Sequence, residues 1–334
     1  MEEDRVKKIE SLIKASLKQG SVFRLRDDLR FEPDNNASEN KEEAVQLLMA
    51  NGVFTLHDFF LLSVINSLVH ATVPVIMRKL ALEKRRNPQL DIPCYDLRAL
   101  KKRLRMLVQH GLLYSFAYEA ENVDFRVVIY NCTMLGYRVF RTRLMMNVPY
   151  DKLAMYRSTS DIFKRLSANS VAFSFAANER CNGVVLNEMI SYGEDARQKK
   201  INLYARTSLE KGSIKRRYII EPIYFNVEPE IITAEQNLKQ IDERITQIQN
   251  MMEFYIEKED WDVRLVFVVE DLEGLLKLLA LIKQKEMAFF MKYATFTAEN
   301  VIANNSYRLD TSFMKMSITN GRSVMVLDQE SVFA

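Results

Sequence analysis

The chain has 334 residues, 48% apolar and 10% aromatic, with only 9 Gly and 7 Pro. That length favours two domains, and that composition excludes a collagenous, low-complexity or largely disordered chain. Its 47 basic and 44 acidic residues leave a formal charge of +3, which excludes a polycation that holds nucleic acid by bulk charge, so any such attraction must come from local clustering.

Residues 2–18 read as a helix, with Val6, Ile9, Leu12, Ile13 and Leu17 on one stripe. A polar linker is predicted at Asp34–Lys41. A short helix from Glu42, ended by Gly52 in a left-handed cap, leads to a second with Thr55 as N-cap. The second runs to about Leu68 and is apolar nearly all round, so it should be buried. A third spans Val73–Lys84, and Asp96 caps a fourth that ends at Gly111. Two strands follow, Leu112–Ala120 and Phe125–Asn131, joined by a turn at Glu121–Asp124, then a helix at Leu135–Met145. A boundary is placed at Asn147-Val148-Pro149.

Beyond it come a helix at Ser160–Ala176, strands at Ile201–Thr207 and Arg217–Val227, and a long helix at Ala234–Ile256. Val263–Val269 reads as a buried strand, Leu272–Lys283 as a helix and Tyr293–Thr297 as another strand. Ser312–Val326 has the pattern of a hairpin turning at Thr319-Asn320-Gly321. The alternation predicts an α/β domain with some parallel pairing. The expected division is therefore 1–41 (helix and linker), 42–147 (winged helix-turn-helix) and 148–334 (α/β).

The helix from Asp96 to His110 carries the functional expectation. At 100° per residue, Leu97, Leu100, Leu104, Leu107 and Val108 share one arc, and Arg98, Lys101, Lys102, Arg105 and Gln109 share another. The polar arc holds four cations and no acid. From Arg78 to Arg105 ten basic residues stand against three acids, so the rest of the chain is net acidic. An ordinary solvated helix interleaves Glu or Asp at i,i+4, because unrelieved like charge is destabilising. A phosphate backbone supplies the missing anions, and Arg and Gln also read guanine and adenine edges in the major groove. The order helix, helix, basic helix, two-stranded ribbon is that of a winged helix-turn-helix, whose basic helix enters the groove. The candidate contacts to double-stranded DNA are Arg98, Lys101, Lys102, Arg105 and Gln109, with Arg103 off the arc as a phosphate clamp or packing-edge cation. Lys84, Arg85 and Arg86 would hold the backbone, and Arg126 lies on the wing beside Tyr114 and Tyr118. The competing reading is a basic surface helix in a protein-interaction module.

The string Leu97-x-x-Leu100-x-x-Arg103-Leu104-x-x-Leu107-Val108-x-x-Gly111-Leu112-Leu113 resembles winged-helix regulators. Its continuation, Val128 to Phe140 with Thr133-x-x-Gly136, is similar to the replication-relaxation family of bacterial mobile elements. That resemblance implies sequence-selective DNA binding in plasmid, phage or integrative-element replication, conjugative transfer or transcriptional control, with replication or transfer proteins as partners. It also implies a second domain of degenerate PD-(D/E)xK nuclease fold, echoed over residues 158–300 by element order.

A working nuclease of that kind needs carboxylates for Mg²⁺ and a Lys two residues after the second acid. Glu228 is a candidate acid, but Glu230 stands where Lys is required, and Glu194 and Asp195 lack a strand context. A divergent Mg²⁺-dependent nuclease is therefore the alternative, not the expectation. His57, His70 and His110 show no metal-ligand spacing, and no phosphate-binding Gly-rich loop occurs, so neither cofactor nor metal is expected. His57 and His70 read as packing residues, and His110 as a helix-end residue. Leu238, Ile241, Ile245, Ile248, Met252 and Tyr255 form a heptad seam, read first as packing on the helix's own sheet and second as a homodimer contact. Cys94, Cys132 and Cys181 fit neither a disulfide framework nor a CxxC site. With no apolar h-region behind Glu2-Glu3-Asp4, and with Phe59–Val69 too short to span a bilayer, the expected location is the cytoplasm.

Overall fold

A computed structural model describes residues 2–33, 42–120, 126–194, 198–258, 262–305, 308–319 and 322–328. The predicted linker, the wing turn, Asp195 and the Asn320-Gly321 turn lie outside the described residues. The chain has an α/β fold that divides into two compact units, Arg26–Arg157 and the residues on either side of that stretch.

The first helix, α1 (Glu2–Gln19), belongs with the second half of the chain, not with a separate leader. Its stripe is the reason. Ile13 and Leu17 enter the core of the α/β unit at 1% and 3% exposure. Its C-terminal end is also tied there: Asn300 Nδ2 donates to Ser16 O at 2.6 Å and Gly20 O at 2.9 Å. Ser21 N donates to Glu270 O at 2.6 Å, and Arg24 faces Asp271 at 3.5 Å.

The winged unit runs β1 (Leu29–Pro33), α2 (Glu42–Ala50), α3 (Leu56–Leu68), α4 (Val73–Arg86), α5 (Leu97–Gln109), β2 (Leu113–Ala120), β3 (Arg126–Cys132) and α6 (Met134–Leu144). Its sheet is β1-β2-β3, antiparallel throughout, so the predicted two-stranded ribbon has a third strand paired Leu29↔Ala120 to Pro33↔Phe116. As expected, α3 is buried along most of its length, with Leu61, Leu62 and Ile65 fully enclosed. Thr55 precedes it in a reciprocal cap with Asp58, which accepts from Thr55 N at 2.7 Å.

The unit ends at Arg157, ten residues beyond the predicted end at 147. Tyr137 OH donates to Val148 O at 2.9 Å, Asn66 Nδ2 to Pro149 O at 3.0 Å, and His70 Nε2 lies 3.1 Å from Ala154 O. Buried donors need acceptors, and these carbonyls hold 148–154 against the helices.

The Thr133-x-x-Gly136 element closes the wing mechanically. Thr133 caps α6 by accepting from Gly136 N at 2.9 Å, and its hydroxyl reaches Gly111 O at 2.8 Å. A Cβ at position 136 would lie 2.2 Å from Leu112 O, a backbone atom that cannot step aside. Gly136→Ala is expected to destabilise the winged unit by about 1–3 kcal/mol, the usual cost of overpacking, read as a lower urea midpoint with unchanged slope.

The α/β unit continues with α7 (Thr159–Phe175), β4 (Cys181–Tyr192), β5 (Lys199–Lys211), β6 (Ile214–Ile223), α8 (Ala234–Lys258), β7 (Asp262–Val269), α9 (Leu272–Lys283), α10 (Met287–Tyr293), β8 (Ala294–Thr297), α11 (Glu299–Asn304), β9 (Met314–Thr319) and β10 (Arg322–Leu327). The seven-stranded sheet has order β10-β9-β8-β7-β6-β5-β4. Only β6–β7 and β7–β8 are parallel, because only they are joined by crossover helices long enough to return the chain. The expected hairpin is β9–β10, and β4 was not anticipated.

The heptad seam of α8 is a core stripe. Ile241, Ile245, Ile248 and Met252 are 5% exposed or less and pack with β6 and β7 residues such as Ile219 and Leu265, while Leu238 is 43% exposed. The buried Ile241, Ile245, Ile248 and Met252 are not available to a second copy, which corrects the homodimer reading at those four positions and leaves Leu238 alone of the five on the surface. A 3-4 spacing serves any helix that buries one stripe, and here the partner is the helix's own sheet.

Candidate nucleic-acid interface

The N-terminus of α5 is fixed by Asp96, which accepts from Ala99 N at 2.7 Å. Its end is fixed by Gly111, at φ +68°, where a residue without Cβ passes the chain into β2. Between them Leu100, Leu104, Leu107 and Val108 are 5% exposed or less. The helix therefore cannot rotate. Leu97, expected on the packed arc, is 49% exposed, because it sits in the first turn before the helix meets its neighbours.

Arg98, Lys101, Lys102, Arg105 and Gln109 are all exposed, on the face that the sequence assigned them. For Arg98, Lys101, Lys102 and Arg105 no carboxylate among the described residues lies within ion-pairing distance. The cations also sit against the helix dipole. Arg98 is in the first turn, whose amide end is positive, and the last turn holds no basic residue. A bound anion would relieve both the mutual repulsion and the dipole clash more strongly than water and salt do.

Arg103 is different. Its Nε and Nη2 donate to both carboxylate oxygens of Asp58, and Nη2 also donates to Val53 O at 2.8 Å. Asp58 is fully buried and caps α3 at the same time. The hydrogen bonds to Asp58 raise the Arg103 pKa above its usual value. Arg103 is thus a clamp between α5 and the start of α3, the packing-edge alternative of its two expected roles, with its guanidinium engaged by Asp58 and not offered whole to a phosphate. Arg126, still half exposed, pairs at 3.0 Å with Glu119, its cross-strand partner in the β2–β3 register. Lys84, Arg85 and Arg86 are exposed in the last turn of α4, where cations also complement the helix dipole. Tyr118 is buried at 3% exposure and Tyr114 is 36% exposed.

Sequence reading missed the Asp58–Arg103 pair. A signal existed: an acid three residues after Thr55, directly before the apolar run Phe59–Leu62. The histidines take three roles. His70 is buried, His110 meets the Phe54 ring edge-on at 5.4 Å, and His57, read as packing, instead reaches Asp91 at 2.9 Å near the surface.

Of the candidate acids, Glu194, Glu228 and Glu230 lie among the described residues and form no metal-holding group there. Glu228 accepts from Thr159 N at 3.0 Å and Ser160 N at 3.4 Å, capping α7, while Glu230 and Glu194 are exposed. Among the described residues no group of three or more His, Cys, Asp or Glu is placed to hold a metal ion. Cys94 is exposed, Cys132 and Cys181 are buried, and all three are free thiols. No described helix is long and apolar enough to cross a membrane.

No protein-family model matches the chain, and no curated protein matches it. Among solved structures it is similar to the crystal structure of protein VC1899 from Vibrio cholerae, at 12% identity and a TM-score of 0.27. The match covers 83% of this chain and spans 56% of that protein's length.

Proposed function

We propose that the chain is a double-stranded DNA-binding protein that places α5 in the major groove, and that its role is binding, not catalysis. The observation that carries this reading is the unrelieved cationic face of α5. Arg98, Lys101, Lys102 and Arg105 point to solvent from a helix whose other side is locked in the core. Gln109 adds a side chain able to read adenine, and Lys84, Arg85 and Arg86 offer further charge to the phosphates. Service to a plasmid, phage or integrative element in the cytoplasm, beside replication or transfer proteins, belongs to the same proposal and rests on the resemblance to the replication-relaxation family.

Lys101→Ala combined with Arg105→Ala is expected to weaken duplex binding by on the order of 100-fold or more, at about 1–3 kcal/mol per lost contact. Fluorescence anisotropy with a labelled duplex reads the loss, and circular dichroism checks that the fold survives. Unchanged affinity in the folded double variant rules α5 out as the reader. The nuclease alternative has no comparable support, since Glu228 is already engaged by the amides of α7. Plasmid nicking in Mg²⁺ that Glu228→Gln removes would establish it instead.

A further inference from the structure

The first turns of α7, the N-terminal half of α8 and residues 227–232 line a cavity of about 610 Å³ in the α/β unit. Small-molecule sites occupy about 300–1,000 Å³. One lining residue is Ser160, 4% exposed, whose hydroxyl has no hydrogen-bond partner among the described residues. Buried hydroxyls are ordinarily paired, so this one is a partner held ready for a group inside the cavity.

The walls mix donors with acceptors. Asp161 and Lys164 come from α7, and Lys239, Gln240 and Glu243 from α8. Asp161, Lys164, Lys239 and Glu243 form no ion pair among the described residues, so their polar ends are open to a ligand. Phosphates and carboxylates match this lining poorly. The amide end of α7, the usual seat for an anion, is taken by Glu228, which accepts from Thr159 N at 3.0 Å and Ser160 N at 3.4 Å. With Glu228 the lining holds three acids against two lysines, a surplus of one negative charge. A wholly apolar ligand would strip water from these groups without replacing it. Hydroxyls suit both kinds of partner, because each donates to a carboxylate and accepts from an ammonium or amide. Ile231, 63% exposed, adds an apolar surface to the same cavity. We infer that this cavity binds a neutral saccharide of one or two rings, with its hydroxyl edges between α7 and α8 and its C–H face on Ile231. The site owes nothing to the DNA-reading proposal.

The test titrates the full chain, ¹³C-labelled at its isoleucine methyls, with glucose, galactose, N-acetylglucosamine, maltose and lactose, and separately with inorganic phosphate. At least one sugar is expected to move the Ile231 and Ile232 resonances saturably and one-to-one. Its affinity should be the same at low and high salt, as befits a neutral ligand and unlike binding to DNA. Ser160→Ala is expected to weaken that sugar by about threefold to tenfold, the worth of one hydrogen bond. The same variant should unfold at or above the wild-type midpoint, because the hydroxyl has no partner in the folded chain. Glu243→Leu, on the exposed side of α8, should weaken the sugar by about tenfold, as loss of a charge-assisted hydrogen bond does. Failure of all five sugars to move either methyl overturns the site. Tighter binding of phosphate than of any sugar, or a sugar affinity unchanged in both folded variants, overturns the ligand assigned to it.

Discussion

Asp58→Ala is expected to cost the winged unit about 2–3 kcal/mol, because it removes the acceptor at the start of α3 and the bidentate grip on Arg103 together. Asp58 is fully buried and does two jobs at once, capping Thr55 and gripping Arg103 in a bidentate pair. Arg103→Met should also destabilise, by stranding a buried carboxylate with only Thr55 as partner. The double variant Asp58→Asn with Arg103→Met should recover part of the loss, and urea unfolding of the four proteins gives the coupling energy. Arg103→Met is a sharp contrast to Arg105→Ala. The first should lower stability and leave the salt dependence of DNA binding unchanged, and the second should do the reverse. Equal stability of wild type and Asp58→Ala would show that the clamp does not hold α5.

The second large effect is a pH dependence of stability centred on Glu270. This carboxyl is 1% exposed at the end of β7, and burial pushes its pKa up to about 7 despite two backbone hydrogen bonds. Phe225 N and Asn226 N donate to Oε1 at 2.8 and 3.0 Å, while Oε2 has no hydrogen-bond partner among the described residues. A raised acid pKa means that the folded chain keeps a proton which the unfolded chain has already released. The stability that Glu270 contributes is therefore fully present below the ordinary glutamate value of 4.5, is lost as pH rises towards about 7, and levels off above it. The full difference is about 3 kcal/mol. Glu270→Gln keeps the acceptor and removes the charge, so it should flatten this window and gain most over wild type at pH 8. Thermal unfolding from pH 4 to 8 reads both. A variant whose curve falls as steeply as wild type would place the titration elsewhere.

Much of the fold was legible where one periodicity dominated. The Leu100-Leu104-Leu107 arc, the all-apolar α3 and the Val263–Val269 strand each present a single burial pattern, and the structure follows it. Edges were less legible. Strand β4 has Gly183 and Asn187 within it, and most of its residues are half-exposed at the sheet margin, so no clean alternation marks it. Strand β1 is five residues whose pairing partner lies some ninety positions away. The α8 seam shows a different limit: a heptad spacing says which residues are buried, not what buries them.

The candidate site was legible in outline, and two ion pairs within it were not, for one reason. Helical geometry separates a polar arc from an apolar one, and the exposure of Arg98, Lys101, Lys102, Arg105 and Gln109 agrees with it. Geometry along one helix cannot reveal an acid on another element. Arg103 meets Asp58 and Arg126 meets Glu119 through tertiary contacts that charge counting over a segment does not see.

The most direct measurement is the affinity of wild type and of a variant lacking Arg98, Lys101, Lys102 and Arg105 for one duplex across a range of salt concentrations. If each cation neutralises a phosphate, log affinity should fall against log salt with a slope steeper for wild type by about 0.9 per cation, so about 3.6 in all. Equal slopes, or wild-type binding indifferent to salt, would contradict the placement of α5 on the DNA backbone.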